Sequence, residues 1–200
     1  MDITNAALFT LAAIMLLGSP GPAIAALIAI GKERGFWGSM RFFWGLQLGL
    51  ASGAAISAAG LFSVVLTVPY ATQVMMGVAT AYLIWLAYKI ASSPVGNSID
   101  SAQGGAISSA WGGFILGATN PKAYLAFISL IASYAIMPAT PQMDVAIKWL
   151  TLVLVMIVVD LIWLWLGTVI GAANLSPSAE RVLNVVMGGT ILMTALVAWF

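Results

Sequence analysis

Asp160 and Lys122 stand out because each puts a charge inside an apolar run long enough to cross a bilayer. Asp160 lies in Ile147–Ala172, thirteen residues from its start and twelve from its end. A carboxylate at that depth costs about 2.5–3.5 kcal/mol on insertion scales, so it must bring a compensating role. It could bind a cation or carry a proton, with its protonation following the occupancy of a site. It could also be a hydrogen-bonded carboxyl that fastens helices together. Lys122 could simply neutralise Asp160. Alternatively, its ammonium adds to the positive end of a helix starting at Pro121 and attracts an anion. Together the two charges would suit a zwitterion, its anionic group toward Lys122 and its cationic group toward Asp160.

The elements that must position these groups are broken spans. Ser19-Pro20-Gly21-Pro22 and Thr119-Asn120-Pro121-Lys122 each interrupt an apolar stretch. Proline removes a helix hydrogen bond and clashes with the preceding turn, and hydrocarbon supplies no water to repair the loss. Such breaks survive only where protein or a water-filled cavity receives the freed backbone groups. Ser19-Pro20 and Asn120-Pro121 each read as an N-cap followed by proline at the first helical position, so both half-helices would point free N–H groups at one place. A second half-helix starting at Pro20 or Pro22 carries no charge of its own and would contribute backbone dipoles through Gly21. Gln47, Asn120 and Tyr124 are further polar candidates, Gln47 equally as an interhelical hydrogen bond. Trp163, one turn from Asp160, could offer a ring face to an ammonium or pack against neighbours.

Composition places the chain in a membrane. Hydrophobic residues make up 62% and charged residues 6% of its 200 residues, against about 45–50% and about 25% in soluble domains. A net charge of +1 without basic runs gives no reason to invoke nucleic acid. There is no cysteine or histidine, which removes disulfides, haem or zinc ligation by these residues and Ser-His or Cys-His catalysis. An intramembrane aspartyl dyad needs two carboxylates where Asp160 stands alone, and a metal carrier would want several oxygen or sulfur ligands. No enzymatic activity, metal or cofactor is expected. The first apolar run lacks the cationic leading region of a signal peptide and reads as a retained first span.

At about 20 apolar residues per crossing, the expected architecture is an all-α polytopic protein of six spans. These are Ala6–Gly31, Phe42–Val68, Gln73–Ile90, Ala106–Met137, Ile147–Ala172 and Val182–Phe200. Lys32, Arg34, Arg41, Lys89 and Arg181 fall on one side and Lys148 on the other, so the positive-inside rule puts both termini outside. The polar connection 92–105 divides one transmembrane domain into halves, 1–91 and 106–200. Three spans per half make any repeat an inverted one. Ser19-Pro20 matches Asn120-Pro121, and Val74–Ala87 matches Val185–Ala198. Small residues recur four apart (Gly45, Gly49, Gly53 and Ser57; Gly113 and Gly117; Gly167 and Gly171), as close helix packing requires. Internal packing is favoured over a homodimer interface, which stays open. Trp37, Trp44, Trp149 and Trp199 read as interfacial anchors.

The Ser19-Pro20-Gly21-Pro22 element, followed by Gly35, Gly45, Gln47 and Gly49, resembles the N-terminal signature of the LysE-type amino-acid exporters (LysE/RhtB translocators). The likeness continues through Ala81-Tyr82-Leu83-Ile84-Trp85-Leu86, Thr119-Asn120-Pro121-Lys122-Ala123 and Val158-Val159-Asp160, in the family's order. It implies a bacterial inner-membrane exporter of amino acids or related metabolites, driven by the proton gradient. Pro20, Gly21, Pro22, Asn120, Pro121, Lys122 and Asp160 correspond to the family's motif residues. The weakly charged central connection departs from many relatives, as does the C-terminus at Trp199-Phe200 without a charged tail. A passive small-solute channel or a non-transporting scaffold are the rival readings.

Overall fold

The computed structural model describes residues 1–19, 21–60, 70, 77, 80–81, 84–85, 87–88, 91–92, 109–173 and 176–197. All regular structure among them is helical: α1 (Ile3–Gly18), α2 (Pro22–Gly38), α3 (Met40–Ala58), α4 (Ala110–Ala118), α5 (Pro121–Ser133), α6 (Pro141–Ala172) and α7 (Pro177–Val197). The third expected span falls mostly outside the described residues. So do Pro20, Lys89, the connection 93–108 and the far ends of the second and sixth spans.

Each helix starts where a local signal permits. Asp2 caps α1 by accepting from Asn5 N at 3.0 Å, and Ser109 caps α4 by accepting from Gly112 N at 3.0 Å. The two expected breaks are present: α1 and α2 meet at 63°, α4 and α5 at 53°. With α6, these two bent pairs are the described segments long and apolar enough to cross a membrane. The 32 residues of α6 extend for about 48 Å, well beyond a hydrocarbon core of about 30 Å. Its exposed Leu150, Leu154, Val158, Ile162, Trp165 and Val169 recur every three or four residues, forming the stripe that a helix presents to lipid.

Helices absorb segments the sequence assigns to connections. Lys32-Glu33-Arg34 belongs to α2 and Asp144 with Lys148 to α6. These charges are accommodated by partners within the fold. Lys32 Nζ donates to Asn184 Oδ1 of α7 at 2.7 Å. Asp144 pairs with Lys148 at 2.5 Å and accepts from Ile136 N and Met137 N, each at 2.6 Å. Lys148 also reaches Ile131 O in α5 at 3.0 Å, and α1 joins the same end through Asp2 N to Ile136 O at 2.8 Å. Near its far end α2 is interrupted at Gly35, whose φ of 68° suits glycine. The Ser39 hydroxyl donates there to Ile30 O (3.1 Å) and Gly35 O (2.7 Å).

The long helix that follows each bent pair packs on the other pair. α3 lies against α4 and α5, and α6 against α1 and α2. Glycine makes the closest of these approaches possible. A Cβ at Gly45, Gly49 or Gly113 would collide with Ala110 O, Phe114 O or Phe42 O, and one at Gly117 would stand 2.5 Å from Leu46 O. Along α2 and α6, Gly31 would meet Leu164 O at 2.5 Å, while Gly167 and Gly171 would strike Ile28 O and Lys32 O. The small-residue stripes therefore serve internal packing. The glycine seams thus group α1–α2–α6 and α3–α4–α5, each combining chain from both sides of the central connection, and α6 packs on α3 as well.

Candidate functional site

The bend between α4 and α5 forms as its sequence requires. Asn120 is extended (φ −73°, ψ 103°), and its side chain accepts from Ala123 N at 3.4 Å, with Pro121 at the first helical position. The first bend differs from expectation. Ser19 does not cap α2: its hydroxyl turns back to Leu16 O at 2.8 Å, and it ends α1. Gly21 is the N-cap, fully extended at φ −169°, ψ −176°, and α2 starts at Pro22. The reason is local, because a residue preceding proline is driven out of the helical region. Of the two expected starts, Pro20 and Pro22, the helix takes the second, and the cap passes from Ser19 to Gly21. Pro20 and the side chain of Pro121 lie outside the description.

Both breaks leave carbonyls without intrahelical partners, and side chains from neighbouring turns repair them. Trp163 Nε1 donates to Gly18 O at 3.3 Å, the end of α1. Tyr124 Oη donates to Ala118 O at 3.0 Å, the end of α4. The Lys122 ammonium crosses from α5 to Ser19 O, while Thr119 Oγ1 adds a second donor at 2.7 Å to Ile115 O, which Thr119 N already reaches. Lys122 can lie there because residue 21 lacks a side chain. A Cβ on Gly21 would stand 3.1 Å from both its Cδ and Nζ.

A small cleft forms where the breaks meet. Ser19, Gly21, Asn120, Lys122 and Asp160 line its polar side, and Leu16, Leu17, Ile24, Leu50 and Met156 its apolar side. Asp160 is only 4% exposed and accepts from Gln47 Nε2 of α3 at 2.7 Å. Gln47 Oε1 is buried with no hydrogen-bond partner among the described residues. Leaving such an acceptor unsatisfied costs about 1–3 kcal/mol, so the amide orientation favours the carboxylate at the oxygen's expense.

The sequence-derived candidates thus separate by position. Ser19, Gly21, Pro22, Asn120, Lys122 and Asp160 surround the cleft, and Gln47 stands behind Asp160. Trp163 and Tyr124 are engaged with backbone at the breaks and are not among the residues lining the cleft. Leu50 and Met156 were not singled out from sequence. The signal was there in helical spacing, since Met156 is one turn from Asp160 and Leu50 one turn from Gln47.

An arrangement with one carboxylate, one ammonium and two converging helix N-termini can bind a small molecule carrying both charges. A family model described as LysE type translocator matches residues 14–199. Among curated proteins, the chain is similar to the cysteine/O-acetylserine efflux protein of Escherichia coli O157:H7, 30% identical over 132 residues, covering 66% of this chain and 64% of that one. The proteins of the same description from Escherichia coli K12 and Shigella flexneri are 29% identical over 126 residues, 63% of each chain. The match therefore spans somewhat less than two thirds of these relatives' length. No solved structure matches.

Proposed function

The chain belongs to the LysE type translocator family, and we propose that it exports amino acids or closely related small zwitterions across the bacterial inner membrane in exchange for protons. The observation that carries this reading is the meeting of Asp160, Lys122, Asn120 and the starts of α2 and α5 on one cleft. The relatives' name supports it, since cysteine and O-acetylserine are both zwitterions. In the proposed pose the substrate carboxylate faces Lys122 and the N–H groups of the two helix starts. Its ammonium faces Asp160.

The proposed fold is six spans in two inverted halves with both termini outside. In keeping with that topology, Lys32 meets Asn184, one turn from Arg181, while Asp2, Asp144 and Lys148 meet around residues 131–137. Alternating access would proceed by movement of the α1–α2–α6 unit against α3–α4–α5. Gln47–Asp160 and Lys122–Ser19 are the polar links across that boundary at the cleft, beside Trp149–Ala51 and Lys148–Ile131 further along α6, and a difference in binding energy between the two states must drive the change. Proton exchange has a physical handle in Gln47. When Asp160 takes a proton, its hydroxyl can donate to Oε1 after the amide turns, which would satisfy the orphaned oxygen and release the substrate ammonium's partner.

The test is flux of labelled cysteine from sealed proteoliposomes under an imposed pH gradient. The expected result is efflux that rises with an inward proton gradient and collapses when the gradient is dissipated. Equal flux with and without the gradient would instead establish a passive channel, and absence of flux a scaffold.

A further inference from the structure

We propose that the cleft admits amino acids whose side chain carries no charge, and that Leu50 and Met156 set the size of that side chain. The inference rests on the export reading above and adds the substrate class and the residues that select it.

Charge accounting comes first. The chain holds seven lysines and arginines and six acids, yet among the described residues only Lys122 and Asp160 of these line the cleft. No other charged residue occurs at positions 3–31, 42–88, 101–143, 149–179 or 182–200, so no helix can bring another charge to the middle of the bundle. There is also no histidine. Once a substrate's own ammonium and carboxylate have taken Asp160 and Lys122, a lysine side chain finds no second acid and a glutamate side chain no second cation. A desolvated charge without a partner is strongly disfavoured.

What remains for the side chain is apolar. Met156 of α6 is 2% exposed and Leu50 of α3 is 4% exposed, and both reach the cleft. They stand one turn from Asp160 and from Gln47 respectively, on opposite sides of the boundary between the two packed units. A side chain projecting from a zwitterion held at Asp160 and Lys122 meets this pair along with Leu17 and Ile24. Truncating either member enlarges the space without touching the charged groups.

The experiment loads proteoliposomes singly with labelled serine, cysteine, leucine, lysine or glutamate and measures efflux down the same gradient. Serine and cysteine are expected to leave at least about 100-fold faster than lysine or glutamate. Lysine or glutamate efflux within about tenfold of the best uncharged substrate overturns the charge rule. Failure of all five overturns the export reading itself, a separately recognisable result. For the size limit, Leu50→Ala and Met156→Ala should raise the leucine-to-serine efflux ratio by about tenfold or more, while Met156→Leu leaves it near wild type. The ratio is read within one preparation and does not depend on yield. An unchanged ratio in both alanine variants overturns the assignment of Leu50 and Met156.

Discussion

Gln47 Nε2 donates to Asp160 Oδ2 at 2.7 Å, joining α3 to α6 behind the cleft. The pair is buried on both sides, at 4% exposure each, and it crosses the boundary between the two packed units. The contact holds the carboxylate beside the cleft, and in the proposed exporter it would make the relative position of the units depend on the state of that carboxylate.

Asp160→Asn keeps an acceptor for Gln47 but removes the charge and the titration. Loss of a charge-assisted hydrogen bond to a substrate ammonium, worth about 1.5–3 kcal/mol, should weaken substrate binding about 10- to 100-fold and abolish dependence of export on the pH gradient. Gradient-driven efflux at the wild-type rate from vesicles holding equal amounts of the variant would refute the assignment of Asp160. Gln47→Ala should leave transport measurable but shift its pH profile, because the carboxylate loses its donor.

Lys122→Ala should abolish gradient-driven export while membrane insertion persists. The ammonium holds Ser19 O at the first break, and in the proposed pose it also faces the substrate carboxylate. Gly21→Val separates them, since a branched side chain where a Cβ already stands 3.1 Å from Lys122 Nζ displaces the ammonium and leaves the charge. We expect reduced affinity with export retained, read as a raised KM in counterflow.

Trp163→Phe and Tyr124→Phe each strand a carbonyl at the end of a broken helix, Gly18 O and Ala118 O respectively. Each should lower stability by about 1–3 kcal/mol, measured by unfolding in detergent. If both variants unfold like wild type, the aromatic donors are dispensable to the breaks.

Gly113→Val and Gly167→Val force a branched side chain between backbones that a single Cβ would already strike, at Phe42 O and Ile28 O. Both should fail to accumulate as folded protein. Among the described residues nothing lies within 4 Å of a Cβ at Gly189, so Gly189→Ala should be tolerated and stabilise α7 by up to about 0.5–1 kcal/mol.

Asp144→Ala removes the acceptor of two backbone N–H groups and the partner of a buried lysine. Breaking such a pair costs about 3–5 kcal/mol, so the variant should unfold at markedly lower temperature. Restoration by the double variant Asp144→Ala with Lys148→Met would identify the stranded lysine as the main cost.

The sequence by itself determined the solvent this protein lives in, the two broken spans and the charges beside them. Those features are local or compositional: proline and its neighbours act within one turn, and a 6% charged chain can bury its apolar surface only against lipid or itself. The Asn120 cap was legible for the same reason; for α2 the sequence left Pro20 and Pro22 open as starts, and with Pro22 taken the cap is Gly21 and not Ser19. Tertiary structure alone decided the partners. That Gln47 meets Asp160, that Lys122 reaches Ser19 O, and that Trp163 and Tyr124 are engaged with helix ends all depend on how each helix is rotated about its axis and which neighbour it meets. Nearly every face of these helices is apolar, so periodicity carries little of that information. The close backbone approaches at the glycine seams settle it, by pairing α3 with α4 and α6 with α2 and so carrying Asp160 to the two breaks.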